Sequence, residues 1–283
     1  MRRFILLLIC GLTINLTSVL AQPNRSYFAV SLSGGVMNYT GDLVVTEQII
    51  NFSRPAFSIG AFYKFDPFLG ARLEVTHGSI AADDGKSNND GLRLRNLSFR
   101  SPITALDAQL IFDFIPTDGP YYRRPLLTPY VFAGISVFAF NPKAELNGDL
   151  IDLKPLGTEG QFLTDPDNRY PDPYSLVQIA IPLGVGIRYR IGQNWDISAE
   201  AGFRKTYTDY LDDASTFYPN MAELLAQNPT AFVLSDRTNL ALSPDGTKLS
   251  ENPNAIRANS STDDGWWTTK ITVSYILDFV RCP

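Results

Sequence analysis

Histidine and cysteine are almost missing from this chain of 283 residues: there is one histidine, His77, and there are two cysteines, Cys10 and Cys282. That scarcity leaves no zinc pattern, and no glycine-rich loop of the phosphate-cradling kind occurs, so no cofactor and no metal site is expected. Basic runs are missing as well. With 24 lysines and arginines against 29 acidic residues, a net charge of -5, the chain offers nucleic acid no footprint. Beyond the N-terminus no apolar run reaches the roughly 20 residues that a membrane-crossing helix needs. The longest charge-free stretch, 174–187, is interrupted by Gln178 and Pro182.

The N-terminus reads as a secretory signal. Arg2 and Arg3 precede an apolar run from Phe4, and Val19-Leu20-Ala21 supplies a cleavage site,. Cys10 follows Ile9 inside that run rather than closing it behind a small residue, which argues against lipidation,. Residues 1–21 are therefore expected to be removed, leaving 22–283 as one domain. Cys282 then stands alone, so no internal disulfide is possible. In an oxidising compartment it is a free thiol or half of an intermolecular bond.

What the mature chain has in abundance is alternation. Leu69, Ala71, Leu73 and Val75 alternate with Gly70, Arg72, Glu74 and Thr76. Val177, Ile179, Ile181, Leu183, Val185, Ile187 and Tyr189 line up opposite Gln178, Ala180, Gly184, Gly186, Arg188 and Arg190. A period of two means strands. Eight such segments lie near 26–38, 54–65, 68–80, 102–115, 127–140, 174–191, 194–207 and 267–280. Most suffice to cross a bilayer as tilted strands of about 9–11 residues, and exceed the ~5–6 usual in soluble proteins.

Connections are long at 39–53, 81–101, 141–173 and 208–266, moderate at 116–126, and short at Asp66-Pro67 and Gly192-Gln193. The pattern predicts an all-β fold: an eight-stranded antiparallel up-and-down transmembrane β-barrel of the cell outer membrane, with long extracellular loops and both termini in the periplasm,. Outer-membrane lipid is its bulk partner. Tyr27, Phe28, Phe62, Tyr63, Trp195, Trp266, Trp267, Tyr275 and Phe279 are expected to form interfacial girdles. A soluble lipocalin-like barrel would turn its aliphatic face inward instead, and alternation alone does not say which face points out.

The face opposite the aliphatic one carries Arg72, Glu74, Asp107, Asp113, Arg188, Arg190, Asp196, Glu200, Arg204, Lys270 and Asp278. The interior of an eight-stranded barrel is just wide enough for side chains, so these charges are expected to pair and fill it rather than line a pore. His77 is in phase with Leu73 and Val75 on the lipid-facing side. That leaves no base to activate a nucleophile, and no enzyme is expected. Asp42, Asp83, Asp84, Asp209, Asp212 and Asp213 read as solvated loop charge without the spacing of a calcium loop. Within 208–266, too long for an inert connector, Met221 to Gln227 is predicted to form a short helix capped by Asn220.

Several segments carry a resemblance. They are Asn38-Tyr39-Thr40-Gly41-Asp42-Leu43, the stretch from Arg95 to Pro102, Thr128 to Gly134, Phe140 to Ala144 with Leu156 to Gln161, and Arg204 to Asp213. In this order they resemble the PorG-like outer-membrane barrels of Bacteroidetes, associated with the type IX (Por) secretion system. The resemblance implies a non-enzymatic component that contacts a periplasmic ring, made of a lipoprotein and its partner, and so serves protein export and, in some bacteria, gliding motility. Cys282, just beyond the last strand at the periplasmic face, is then a partner-contact candidate. The alternatives are a stand-alone binding or adhesion barrel whose outer loops hold a ligand, and a lipid-modifying barrel.

Overall fold

The computed structural model describes residues 26–164, 169–252 and 255–277. The signal segment 1–21, Asp278, Phe279 and Cys282 lie outside the described residues. The strands are β1 (Tyr27–Thr40), β2 (Arg54–Lys64), β3 (Leu69–Asp83), β4 (Ser98–Asp113), β5 (Leu127–Phe140), β6 (Lys143–Leu146), β7 (Asp149–Asp152), β8 (Val177–Arg190), β9 (Trp195–Thr206) and β10 (Gly265–Leu277). All but β6 and β7 form the barrel, each antiparallel to the next. β1 pairs with β10 from Phe28↔Leu277 to Thr40↔Gly265, closing the eight-stranded sheet. Closure removes the edges an open sheet would expose.

Which face points out is settled by exposure. Leu32 is 67% exposed, Ile59 64% and Val185 58%, while Glu74, Asp107 and Glu200 are buried. The barrel is thus aliphatic outside and charged inside, the arrangement suited to a hydrocarbon surround and the inverse of a lipocalin. Trp195 packs on Tyr275 at 4.8 Å and Phe68 stacks on Phe112 at 5.9 Å on this outer surface, near the short turns. Tyr63 and Trp267 also face out. Three expected girdle residues do not: Tyr27, Phe62 and Trp266 are buried. Consecutive strand residues point to opposite faces, so only one of Tyr27-Phe28, Phe62-Tyr63 or Trp266-Trp267 can reach lipid.

The four long connections gather at one end, the three shorter ones at the other. Two of the long ones hold more sheet than alternation indicates. β3 and β4 continue past the barrel wall to the pair Asp83↔Ser98, and the β6–β7 hairpin hooks onto β4 through Arg100↔Lys143. From Gly78 to Ala82 every residue is buried, so the period of two stops where both faces are covered. Among the described residues the long-loop end also holds three short α-helices, α1 (Asp90–Arg95), α2 (Met221–Gln227) and α3 (Pro229–Ser235). The Asn220 side chain accepts from the backbone N–H of Ala222 and Glu223, as expected of an N-cap,.

Candidate functional site: a filled lumen and its cap

Strand pairing stacks the inward charges in layers. At the short-turn end Lys64 donates to Asp113 at 2.5 Å, and Arg188 reaches the same carboxylate at 3.2 Å while covering the rings of Tyr130 and Phe62. At mid-height Arg72 makes a fork to Glu200 at 2.5 and 3.0 Å and donates to Gln109. Tyr130 adds a hydrogen bond to Glu200 at 2.6 Å; Lys270 bonds Glu74 and lies 3.5 Å from Glu200. Above them Arg204 pairs with Asp107 at 2.5 Å and covers the Trp266 ring. One cavity among these side chains, lined by Tyr27, Phe62, Tyr130 and Arg188, holds about 20 Å³, room for about one water.

Asp196 is held from outside the strands. Arg124, in the turn after β4, donates to it at 2.6 and 3.0 Å and to the carbonyls of Tyr121, Gly192, Gln193 and Trp195, stitching two turns together across the barrel's end. Arg190 goes elsewhere: half-exposed at the rim, it donates to the Tyr122 carbonyl. Strand phase alone sends Arg190 inward, but at a strand end a long side chain follows the nearest acceptor. Lys64, Gln109, Arg124 and Tyr130 belong to the lumen network without having been singled out in the sequence. Lys64 shares the phase of inward Phe62, whereas no strand pattern reaches Arg124.

The long-loop mouth is covered by a cap over an apolar layer that includes Met37, Leu43, Ile103, Phe138, Leu211 and Trp266. Its acids are not solvated, against expectation: Asp84, Asp209, Asp212 and Asp213 are buried, because the loops fold over one another instead of standing in water. Asp84 takes a forked pair from Arg95, whose remaining donors reach the carbonyls of Asp42 and Arg257. Glu159 accepts from Ser215, Thr216 and Arg257. Asp213 accepts from Thr158 at 2.5 Å and Tyr174 at 2.6 Å, and Tyr39 lies between Asp212 at 2.6 Å and Asp264 at 2.7 Å. Four of the five resembling stretches, scattered from Asn38 to Asp213, send side chains into this one network.

Carboxylates outnumber cations here, and their proton affinities respond. Burial pushes Asp212 up to about 7, against the pull of its donors Tyr39 and Ala214. Burial raises Asp213 to about 6 in spite of Arg257. It raises Asp209 to about 8, opposed by Ser215 and helped by Asp212 and Asp42. Asp264 stands well above the ordinary carboxylate range through burial and the Asp212 charge. Among the described residues no group of three histidine, cysteine or acidic side chains has metal-binding geometry. His77 faces outward, hydrogen-bonded to Thr104 at 2.9 Å.

A family model described as "Domain of unknown function (DUF6089)" matches residues 2–152. No curated protein matches the sequence. Among solved structures the chain is similar to Neisserial surface protein A, at 12% identity and TM-score 0.43 over 88% of this chain and 96% of that one. It is similar to Ail, the attachment invasion locus protein of Yersinia pestis, at 8% identity and TM-score 0.42 over 89% and 99%. The outer membrane enzyme PagL matches at 11% identity and TM-score 0.31 over 87% and 98%.

Proposed function

The chain belongs to the DUF6089 family, and from that premise we propose that it is a non-enzymatic outer-membrane barrel that anchors or organises a periplasmic ring complex of type IX protein secretion. The filled lumen carries this reading. A barrel plugged by side chains from Arg124 to Trp266 and capped above them works as a post in the membrane, and its uses lie at its ends. The short-turn end is braced by Arg124, giving a partner in the periplasm a fixed surface, and Cys282, five positions after β10 in sequence, is the residue proposed to contact it. The resemblance to PorG-like barrels supplies the identity of the ring, a lipoprotein and its partner.

The test is crosslinking and pull-down of the tagged protein from native outer membranes, with partners identified by mass spectrometry. Recovery of a periplasmic ring lipoprotein and its partner is the expected result; recovery of lipopolysaccharide and general porins alone overturns it. If Cys282→Ser leaves non-reducing gel mobility and ring recovery as in the parent, Cys282 is not a disulfide partner. A second reading, a binding barrel with ligand-holding outer loops, has one observation in its favour. A cavity of about 600 Å³ opens among the loops, lined by Tyr170, Phe217, Tyr218, Asn220 and Glu251. Phe217 is exposed beside it.

A further inference from the structure

Hydrogen accounting at Tyr39 does not close with ionised neighbours. Its hydroxyl has one hydrogen, yet the oxygen lies 2.6 Å from Asp212 Oδ2 and 2.7 Å from Asp264 Oδ1. Both are ordinary O–H···O separations, so a second hydrogen must sit in one of the two contacts, and only a carboxyl can provide it. The far oxygens are already acceptors: Asp212 Oδ1 takes the Ala214 N–H and Asp264 Oδ2 the Leu211 N–H, both at 2.9 Å. The proton therefore belongs between Tyr39 and one acid.

The surroundings hold it there. Asp42, from the β1–β2 connection, and Asp209, from the same loop as Asp212, raise the cluster's negative potential. The nearby cation is Arg95 of α1, and its guanidinium is spent on Asp84 and two carbonyls. Gly41 leaves the space the contact needs: a Cβ there would fall 1.9 Å from Asp264 Oδ1 and 2.0 Å from the Tyr39 hydroxyl.

We propose that Asp212, Tyr39 and Asp264 form a proton-held clasp that fastens the 207–264 loop across the barrel mouth and releases it when the proton leaves. Tyr39 is the penultimate residue of β1, Asp264 immediately precedes β10 and Asp212 belongs to the loop, so the clasp ties wall to lid. The direction with pH follows from the acids being more basic in the closed cap than in an open one. Closure is fully favoured below the ordinary carboxylate value of 3.8 and is lost as pH rises far enough to take the last proton from the pair, which Asp264, raised by burial and by the Asp212 charge, holds well above the ordinary carboxylate range,.

Trp266 reports on the clasp, because it pairs with Tyr39 across the β1–β10 ladder and is fully buried. With Trp195→Phe and Trp267→Phe it is the sole tryptophan of the three. The full barrel in phosphatidylcholine vesicles is titrated from about pH 5 to about pH 10 while acrylamide quenching of Trp266 is followed. Quenching is expected to rise several-fold toward alkaline pH. Asp212→Asn can donate to Tyr39 and still accept from Ala214, so it mimics the protonated acid; it is expected to move the midpoint up by at least about one unit. Asp264→Asn keeps the same bonds and serves if Asp212→Asn lacks the mobility shift of a folded barrel on unheated gels. Quenching that stays flat in the parent, or a midpoint the same in parent and amide variants, overturns the clasp.

Discussion

Replacing Glu200 with Gln tests whether the lumen is held by charge balance. At mid-height two cations, Arg72 and Lys270, face two carboxylates, Glu200 and Glu74. Gln keeps the volume and a hydrogen bond to Tyr130, so the change isolates charge. It leaves two buried cations sharing one carboxylate, and breaking such a pair costs about 3–5 kcal/mol. With a urea slope of about 1–3 kcal/mol per M, the unfolding midpoint in vesicles should fall by at least about 1 M, read by tryptophan fluorescence and by unheated gel mobility. The control is Lys86→Ala, which removes an exposed pair with Asp83 and should cost less than about 1 kcal/mol,. Adding Lys270→Met to Glu200→Gln restores the balance and should recover most of the midpoint. Charge balance is refuted as what holds the lumen if Glu200→Gln moves the midpoint no further than Lys86→Ala, or if the double variant is as weak as the sum of its single changes.

Arg124→Ala strips Asp196 of its partner and frees two turns; we expect a loss of about 3–5 kcal/mol and new protease cleavage within 114–126 in vesicles that expose that end. Gly41→Ala should open the cap while leaving the barrel, seen as faster trypsin cleavage in 207–264 with unchanged gel mobility, because the added methyl collides with Tyr39 and Asp264. Leu183→Arg, at the middle of β8 on the lipid side, should cost about 2–4 kcal/mol in a bilayer, measured by denaturant unfolding against Leu183→Ala. Asn220→Ala should weaken α2 by about 1 kcal/mol, visible as faster hydrogen exchange over 221–227 and no change in the strands.

The barrel was legible because its signal is local and repeated. Six outward aliphatics and Tyr189 at every second position from Val177 admit one reading, and strand ends fall within a few residues of those the pattern predicts. Orientation was not local: nothing in the alternation of Leu73 with Glu74 tells lipid from lumen until a count of strands limits what the inside can hold. The cap was the least legible part. Asp212 and Asp213 look like solvated acids in sequence, and only contacts spanning from Tyr39 to Asp264 bury them. Gly41 sits where a Cβ would collide with Tyr39 and Asp264, but a glycine after a strand is as common in an ordinary turn, so the close approach is not readable from Asn38-Tyr39-Thr40-Gly41-Asp42 alone. Arg124 had no periodic context at all, since a turn residue's partner is set by which other turn the barrel brings beside it.

Tyr39 and Asp264 stand at the two ends of the chain that β1 and β10 bring together, 225 positions apart. Their contact cannot form while the first and last strands are separate, and a pairing of such sequence separation comes late and slowly. The lid is therefore fastened only after the sheet has become a ring. A barrel stalled with one seam open would keep its 207–264 segment loose and its acids in water. Finished and unfinished molecules thus differ at the long-loop surface, so completion of the wall can be sensed from a part of the protein that does not touch lipid.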